Sequence, residues 1–454
     1  MSRRSRFSLS AIAFLLCAGV ATSASAQSSG PPAPSDTLVL ALHDVRRLAL
    51  ARNPSLLGVR QETAIARGAL RQTRVLRSNP EFAAQSAGGT LGTAEDQLQF
   101  TVLQEIEFAG QRGLRTDVAR FGSARASFSL QEAGRLTIAE SSAAFYRAVA
   151  AERRLSVASE ALALVERLLA AVQIQLREGE ISRLDANLAV IEAGRARGRV
   201  LGARRAAATA ELELRLLIGL ESGAPFRLVA DSTGDSLNGL EGLSGDSLLV
   251  LALTNRPDLA AAGQAVREAE TLLALGRREA FPNLRIGVGG VRSPDDGSLQ
   301  FGPAWGLTLP IFNRNQGLRD QRRALVDQAQ FARRSVRLRV ETDVAVAEQA
   351  YRTAVEEARV YEREVLALAH ENAALLETAY GAGKIDLSTL LLLRNQLLDA
   401  EFGYWDAWLA QRDALVQLEA ATGQLTPSAA TLQPINAAAA SPRGPTTATV
   451  RTIP

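Results

Sequence analysis

Hydrophobic and polar positions along this chain follow two different periods, and the period changes at two matching places. In 299–309 the odd positions are Leu299, Phe301, Pro303, Trp305, Leu307 and Leu309, whereas the even ones are Gln300, Gly302, Ala304, Gly306 and Thr308. One face is apolar and the other small or polar, the period-2 pattern of a strand between unlike surroundings. In 98–108 the apolar set is Leu98, Phe100, Val102, Ile106 and Phe108, interrupted by Gln104, with Gln99, Thr101, Leu103, Glu105 and Glu107 opposite. Shorter alternating runs precede each, Phe82 to Gly88 and Leu284 to Gly289, across connections rich in Gly or spelled Ser293-Pro294-Asp295-Asp296-Gly297. Two β-hairpins are expected, with strands of about the ten residues that a tilted membrane-spanning strand needs.

Each hairpin gives way to a long helical pattern. No proline interrupts about Gln111 to Arg177 or about Gln316 to Gly381, and at about 1.5 Å per residue each could reach roughly 100 Å. Ala144, Ala148, Ala151, Leu155, Ala158, Leu162, Val165, Leu169, Val172 and Leu176 alternate steps of four and three. So do Val340, Val344, Ala347, Tyr351, Ala354, Ala358, Tyr361, Val365 and Leu368. Sustained 3.5-residue spacing marks a coiled-coil seam, and its alanines imply thin, close packing. Return helices are expected over about Arg183–Ile218 and Leu387–Thr422, ending at Gly219 and Gly423. Short helices come before the strands, broken at Asn53-Pro54, Asn79-Pro80, Arg256-Pro257 and Phe281-Pro282, where proline forbids continuation.

A single offset ties these features together. Phe108 and Phe312 are 204 positions apart, as are Gly113-Leu114-Arg115 and Gly317-Leu318-Arg319, so these residues mark a duplicated strand-to-helix junction. The turns Gly179-Glu180-Ile181-Ser182-Arg183-Leu184-Asp185 and Gly383-Lys384-Ile385-Asp386-Leu387-Ser388-Thr389 repeat at the same spacing. There a glycine closes one helix and Ser182 or Asp386 can cap the next. The expected organisation is a signal peptide over 1–26, a flexible leader over 27–37 and a first repeat over 38–219, with strands about 81–108 and a helical hairpin about 111–218. A linker over 220–245 follows. The second repeat covers 246–423, with strands about 284–310 and a helical hairpin about 316–422, and a disordered tail covers 424–454.

Composition removes several classes of function. Arg3, Arg4 and Arg6, the apolar run Phe7 to Val20 and Ala24-Ser25-Ala26 have the order of a secretory signal. Without it the basic residues fall from 51 to 48, equal to the 48 acidic ones, so the +3 net charge offers nucleic acid no footing. Cys17 and Met1 both lie in that segment. Leu15 and Leu16 before Cys17 argue against lipidation. The two histidines, His43 and His370, have no partner pattern, and no phosphate loop, HExxH or CxxC is present. No enzyme site, cofactor site or metal site is expected. Lys384, the only lysine, stands where the first copy has Glu180, an opposite-charge pair that can join neighbouring hairpins or a partner.

The duplicated Asn-Pro or Arg-Pro break, the hairpins, the long helices and the glycine tips resemble the outer-membrane efflux (TolC-like) family over about residues 38–423. The junctions Gln104-Glu105-Ile106-Glu107-Phe108-Ala109-Gly110-Gln111-Arg112 and Leu309-Pro310-Ile311-Phe312-Asn313-Arg314-Asn315-Gln316-Gly317 are most similar to its heavy-metal (CzcC-like) branch. The resemblance implies a fold mixing all-α coiled coil with transmembrane β, assembled as a homotrimer with a twelve-stranded barrel in outer-membrane lipid and an α-helical periplasmic tunnel. It implies an exit duct of a tripartite efflux system, conducting divalent metal cations passively, with a periplasmic adaptor and an inner-membrane pump as partners. Docking and gating would fall to Gly179, Glu180, Ser182, Asp185, Gly383, Lys384 and Asp386. Family members place acids shortly after the tip glycine; Asp185 fits, but Thr389 stands at its counterpart, with Asp386 three residues earlier. The alternative is a periplasmic coiled-coil adaptor or scaffold, which usually has a single helical hairpin rather than two.

Overall fold

The computed structural model describes residues 38–87, 97–221, 225–229, 240, 242–293, 296–308, 310–428 and 430–432. The expected signal, the leader, the Gly88-Gly89 turn, most of the linker, Leu309 and residues 433–454 lie outside them, as does the side chain of His370. In order the elements are β1 (Leu38–Leu40), α1 (Leu42–Arg52), α2 (Pro54–Thr73), β2 (Glu81–Ala87), β3 (Gln97–Ile106), α3 (Gln111–Glu178), α4 (Arg183–Ile218) and β4 (Phe226–Leu228). Then come α5 (Gly245–Asn255), α6 (Pro257–Arg278), β5 (Leu284–Arg292), β6 (Leu299–Leu307), α7 (Gln316–Val360), a π-helical turn (Tyr361–Leu366), α8 (Ala367–Gly381) and α9 (Leu387–Ala421).

The two hairpins join into one antiparallel sheet of order β2-β3-β5-β6, the copies meeting at β3 and β5. Register puts Phe82, Val102, Val288 and Pro303 in one row, and Ile106, Leu284 and Leu307 in another. Between strands, the opposite face carries rows such as Leu103, Gly287 and Ala304, or Thr101, Gly289 and Gly302. The alternation in the sequence is therefore a real two-faced sheet. Its apolar face has nothing over it: Phe82, Val102, Val288, Phe301 and Trp305 are all exposed. Edge strands β2 and β6 have no partner on their outer sides among the described residues.

Below the sheet, α2, α3, α6 and α7 lie side by side in that order. Farther down, the α3–α4 hairpin runs beside α9, which also packs along α7, the π turn and α8. Two buried clusters ring the middle of the long helices. One gathers Leu40, Val45, Leu56, Phe145, Tyr146, Leu214, Ile218 and Val416. The other gathers Leu248, Ala252, Val340, Val344, Leu415 and Leu418. The helix breaks sit in this belt. Asn53 accepts from Leu56 N at 3.1 Å to cap α2 and donates to Leu217 O at 3.0 Å. Arg256, buried at the other break, donates to Asp258 at 2.7 and 3.1 Å and to Asp343 at 2.8 Å. Burial opposes its charge, but the two carboxylates outweigh that and raise its pKa. Gly219 and Gly423 end the return helices with φ of 61° and 79°, and a Cβ on Gly219 would lie 2.7 Å from Arg52 O.

Several expectations need correction. β3 and β6 stop at Ile106 and Leu307, so Phe108 and Phe312 lie in the strand-to-helix connections rather than at the ends of the strands, and Phe312 is 91% exposed. Gly113 and Gly317 stand at the junctions, in the first turns of α3 and α7, but they do not bend the chain, since both are helical with open space where a Cβ would be. The chain turns instead at Gly110 and Asn315, whose φ values of 79° and 58° are left-handed. The linker holds β4, which pairs in parallel with β1. Part of the expected disordered tail is packed, since Leu425 and Leu432 are buried in the first cluster.

The second long helix is not continuous. Val340, Val344, Ala347 and Ala354 are buried as the 3.5-residue spacing predicts, but Leu368 is 57% exposed and Ala369 only 5%. A π turn holds one residue more than an α turn, so the seam below it moves to Leu366, Ala369, Ala373, Leu376 and Tyr380. The seam of α3 runs without such a break, from Ala144 to Leu176.

Candidate functional site

The duplicated tips are the candidate site. Gly179 and Gly383 take φ of 78° and 68°, a conformation that only glycine adopts without strain. Glu180 N donates to Gln175 O and Lys384 N donates to Ala379 O, both at 2.9 Å, so both helices end in the same six-to-one closure. Glu180 and Lys384 themselves point into solvent.

The next helix starts with an acid and a hydroxyl in each copy, but in opposite order. Ser182 Oγ accepts from Asp185 N at 3.1 Å and donates to Asp185 Oδ2 at 2.7 Å. In the second tip Asp386 Oδ1 accepts from Thr389 N at 2.9 Å and Asp386 Oδ2 accepts from Ser388 Oγ at 2.8 Å. Hydrogen bonds from Thr389, and next from Ser388, hold the Asp386 carboxyl below the usual carboxylate range. Thus the second tip keeps its acid, one turn earlier than its counterpart.

The structure brings the two tips together. Val172, Ala186 and Ala189 of the first hairpin pack with Leu387 and Leu391 of the second, flanked by Ile181 and Tyr380. Burial, and then the charge of Asp185, pushes the Tyr380 hydroxyl above its ordinary pKa. Asp185 is half-buried, whereas Asp386 is exposed.

The junctions contain groups that periodicity missed. Gln111, buried at the start of α3, accepts from Ala109 N at 2.9 Å and donates to Asn283 Oδ1 at 3.2 Å, and Asn283 donates to Glu105 at 2.5 Å. Glu107 pairs with both guanidinium nitrogens of Arg115. Gln316 opens α7 in the same way, accepting from Arg314 N at 2.9 Å. A glutamine at the first helical position of both copies was the available signal. Among the described residues, no group of three or more His, Cys, Asp or Glu is arranged to hold a metal ion. None of their helices is long and apolar enough to cross a membrane.

Residues 248–424 match the outer membrane efflux protein family. That stretch, from α5 to just past α9, is a domain of the family. Outer-membrane efflux channels are the class of protein that this match supports. The chain is 24% identical over 365 residues to the cobalt-zinc-cadmium resistance protein CzcC of Cupriavidus metallidurans, covering 80% of this chain and 85% of that one. It shares its fold with CusC, with TM-score 0.71 and 20% identity over 87% of this chain and 95% of that one. It also shares it with the MtrE outer membrane channel of Neisseria gonorrhoeae, crystallised in its open state. There the TM-score is 0.66 and the identity 22%, over 84% of this chain and 88% of that one.

Proposed function

We propose that three copies of this chain close into one duct that passes divalent metal cations out of the cell. The observation that carries the reading is the sheet: four strands, an uncovered apolar face and two free edges. Four strands cannot close a barrel, whose smallest usual size is about eight, and free strand edges are not tolerated in lipid. Three copies supply twelve strands. β3, β5 and β6 hold ten, nine and nine residues, against the roughly nine to eleven that a tilted strand needs to span.

The likeness to a cobalt-zinc-cadmium resistance protein supports metal cations as cargo. Passage needs no resident metal site, because a duct need not hold what it conducts. Glu180, Asp185, Lys384 and Asp386 at the tips are assigned to docking with a periplasmic adaptor and to gating, and an inner-membrane pump supplies the driving force.

Purified protein in detergent should have the mass of three chains, change gel mobility on heating and conduct in planar bilayers. A monomer without conductance overturns the duct. Deleting the gene should sensitise cells to cobalt, zinc and cadmium more than to organic toxicants; the reverse, or equal sensitivity, overturns the cargo.

A further inference from the structure

We infer that neighbouring copies lock through α7 and α2, with Phe331 of one copy seated among Gln61, Ala64, Ile65 and Gly68 of the next; this rests on the three-copy duct proposed above. The four upper helices lie in the order α2, α3, α6, α7, so α2 and α7 are edges. They lie on the same sides as the free strands β2 and β6. Closing the sheet into a ring therefore brings α7 of one copy against α2 of its neighbour.

Both edges carry apolar side chains that nothing covers. Phe331 on α7 is 69% exposed and Ile65 on α2 is 71% exposed, with Leu338 and Leu57 exposed as well. On α7, buried Val326 and Val340 and the Arg322 bond to Leu272 O mark the side facing α6. Phe331 and Leu338 stand about 140° and 120° around the helix from Val326, on the outer flank. On α2, Leu56 and Thr63 are buried. Gln61, Ile65 and Gly68 stand about 120–180° around the helix from Leu56, and Ala64 about 80°. Ile65 also lies at the rim of the groove shared with α3 and α6.

Height decides which residues meet, because rotation about the duct axis does not change it. Arg322 bonds α7 to Leu272 of α6, and Gln330 and Arg333 share a cleft with Val266 and Glu270. Arg125 of α3 bonds to Glu268 of α6 at 2.8 Å. Glu62 and Thr73 of α2 line one groove with Ala126 and Arg115 of α3. Carried across these antiparallel neighbours, the level of Phe331 falls at Ala64, to within about one turn. Gln61, Ala64, Ile65 and Gly68 have the i, i+3, i+4, i+7 spacing of a hole that receives one knob. Gly68 leaves it open: nothing lies within 4 Å of where its Cβ would be. Leu338, seven residues on, falls at Leu57, so the match repeats.

The chain has a single cysteine, Cys17, which makes disulfide trapping clean. The doubly substituted full-length protein with Ile65→Cys and Phe331→Cys, oxidised in detergent, should run as a ladder up to a covalent trimer on a non-reducing gel. Each single variant should stay monomeric. Leu57→Cys with Leu338→Cys should do the same, whereas Ile65→Cys with Leu338→Cys, two turns out of register, should link at least fivefold less. Failure of both matched pairs in a complex with the mass of three chains overturns the inference and leaves the duct standing. So does equal linking by the mismatched pair. A complex of any other mass overturns the duct, and the inference with it.

Discussion

Deleting Arg363 should convert the π turn into plain α-helix without disturbing the tip below. The turn holds one residue more than the 3.5-residue seam can use, and there are two ways to absorb it. Without a π turn, every residue below would rotate by about 100°, turning Leu366, Leu376 and Tyr380 away from α9. Fully burying side chains of this size is worth about 1.5–3 kcal/mol each, and these are half-buried, so the rotation costs about 3–4 kcal/mol in all. The π turn costs roughly one backbone hydrogen bond, about 1 kcal/mol. The turn wins. It also lets Tyr361 lie over Gly403 of α9, where a Cβ would come within 2.6 Å of the ring. With Arg363 removed, Leu366, Ala369, Ala373, Leu376 and Tyr380 already stand at the positions that a straight helix would present. The deletion should raise stability by up to about 1 kcal/mol, a rise in Tm of about 1 °C for a chain of this length, with amide exchange in 367–381 slowed or unchanged. Loss of protection across 367–381, or a Tm several degrees lower, would refute the reasoning, since it would mean that Arg363 is not surplus to the seam.

Arg256→Ala should destabilise the belt by about 2 kcal/mol, below the 3–5 of a fully buried pair because Asp343 reaches water. A double-mutant cycle with Asp343→Asn in urea should give a coupling near 1 kcal/mol, and a value near zero removes the tie between α6 and α7. Asp413 carries a different expectation. Its Oδ1 is buried with no hydrogen-bond partner, and burial, only partly opposed by the charge of Arg147, raises its pKa. An acid whose pKa is higher in the fold than in the unfolded chain loses stability as pH rises from about 4 toward the raised value. Asp413→Asn should therefore raise Tm at pH 7.5 and bring little gain at pH 4; a gain of the same size at both would exclude titration as the cause.

Much of this architecture could be read from period alone, because burial leaves a periodic mark. Alternation in 299–307 predicted a strand with one apolar face, and the step of four and three from Ala144 to Leu176 predicted a seam. Features that depend on one residue left no such mark. The π turn has no signature in composition, so Leu368 looked as good a seam residue as Val365. Gly113 and Gly317 drew attention because they repeat at 204, but repetition does not show which residue bends the chain. A left-handed φ at Asn315 does the work in the second copy, and asparagine is among the few non-glycine residues that tolerate it.

The tips show where counting positions misleads and chemistry does not. At an offset of 204 the counterpart of Asp185 is Thr389, which suggests that the second copy lost its acid. The physical requirement at a helix start is an acceptor for exposed backbone N–H groups, and either a hydroxyl or a carboxylate can meet it. Ser182 with Asp185 and Asp386 with Thr389 are two solutions of that requirement, each with one acid and one hydroxyl. Exchanging their order keeps the cap and moves the charge by three residues, from a half-buried position near enough to act on Tyr380 to an exposed one. Because Asp386 is held by donors that favour its charged form, it stays ionised down to lower pH than a free aspartate. In the proposed three-copy duct the two acids, three positions apart in the repeat, form two rings of negative charge rather than one.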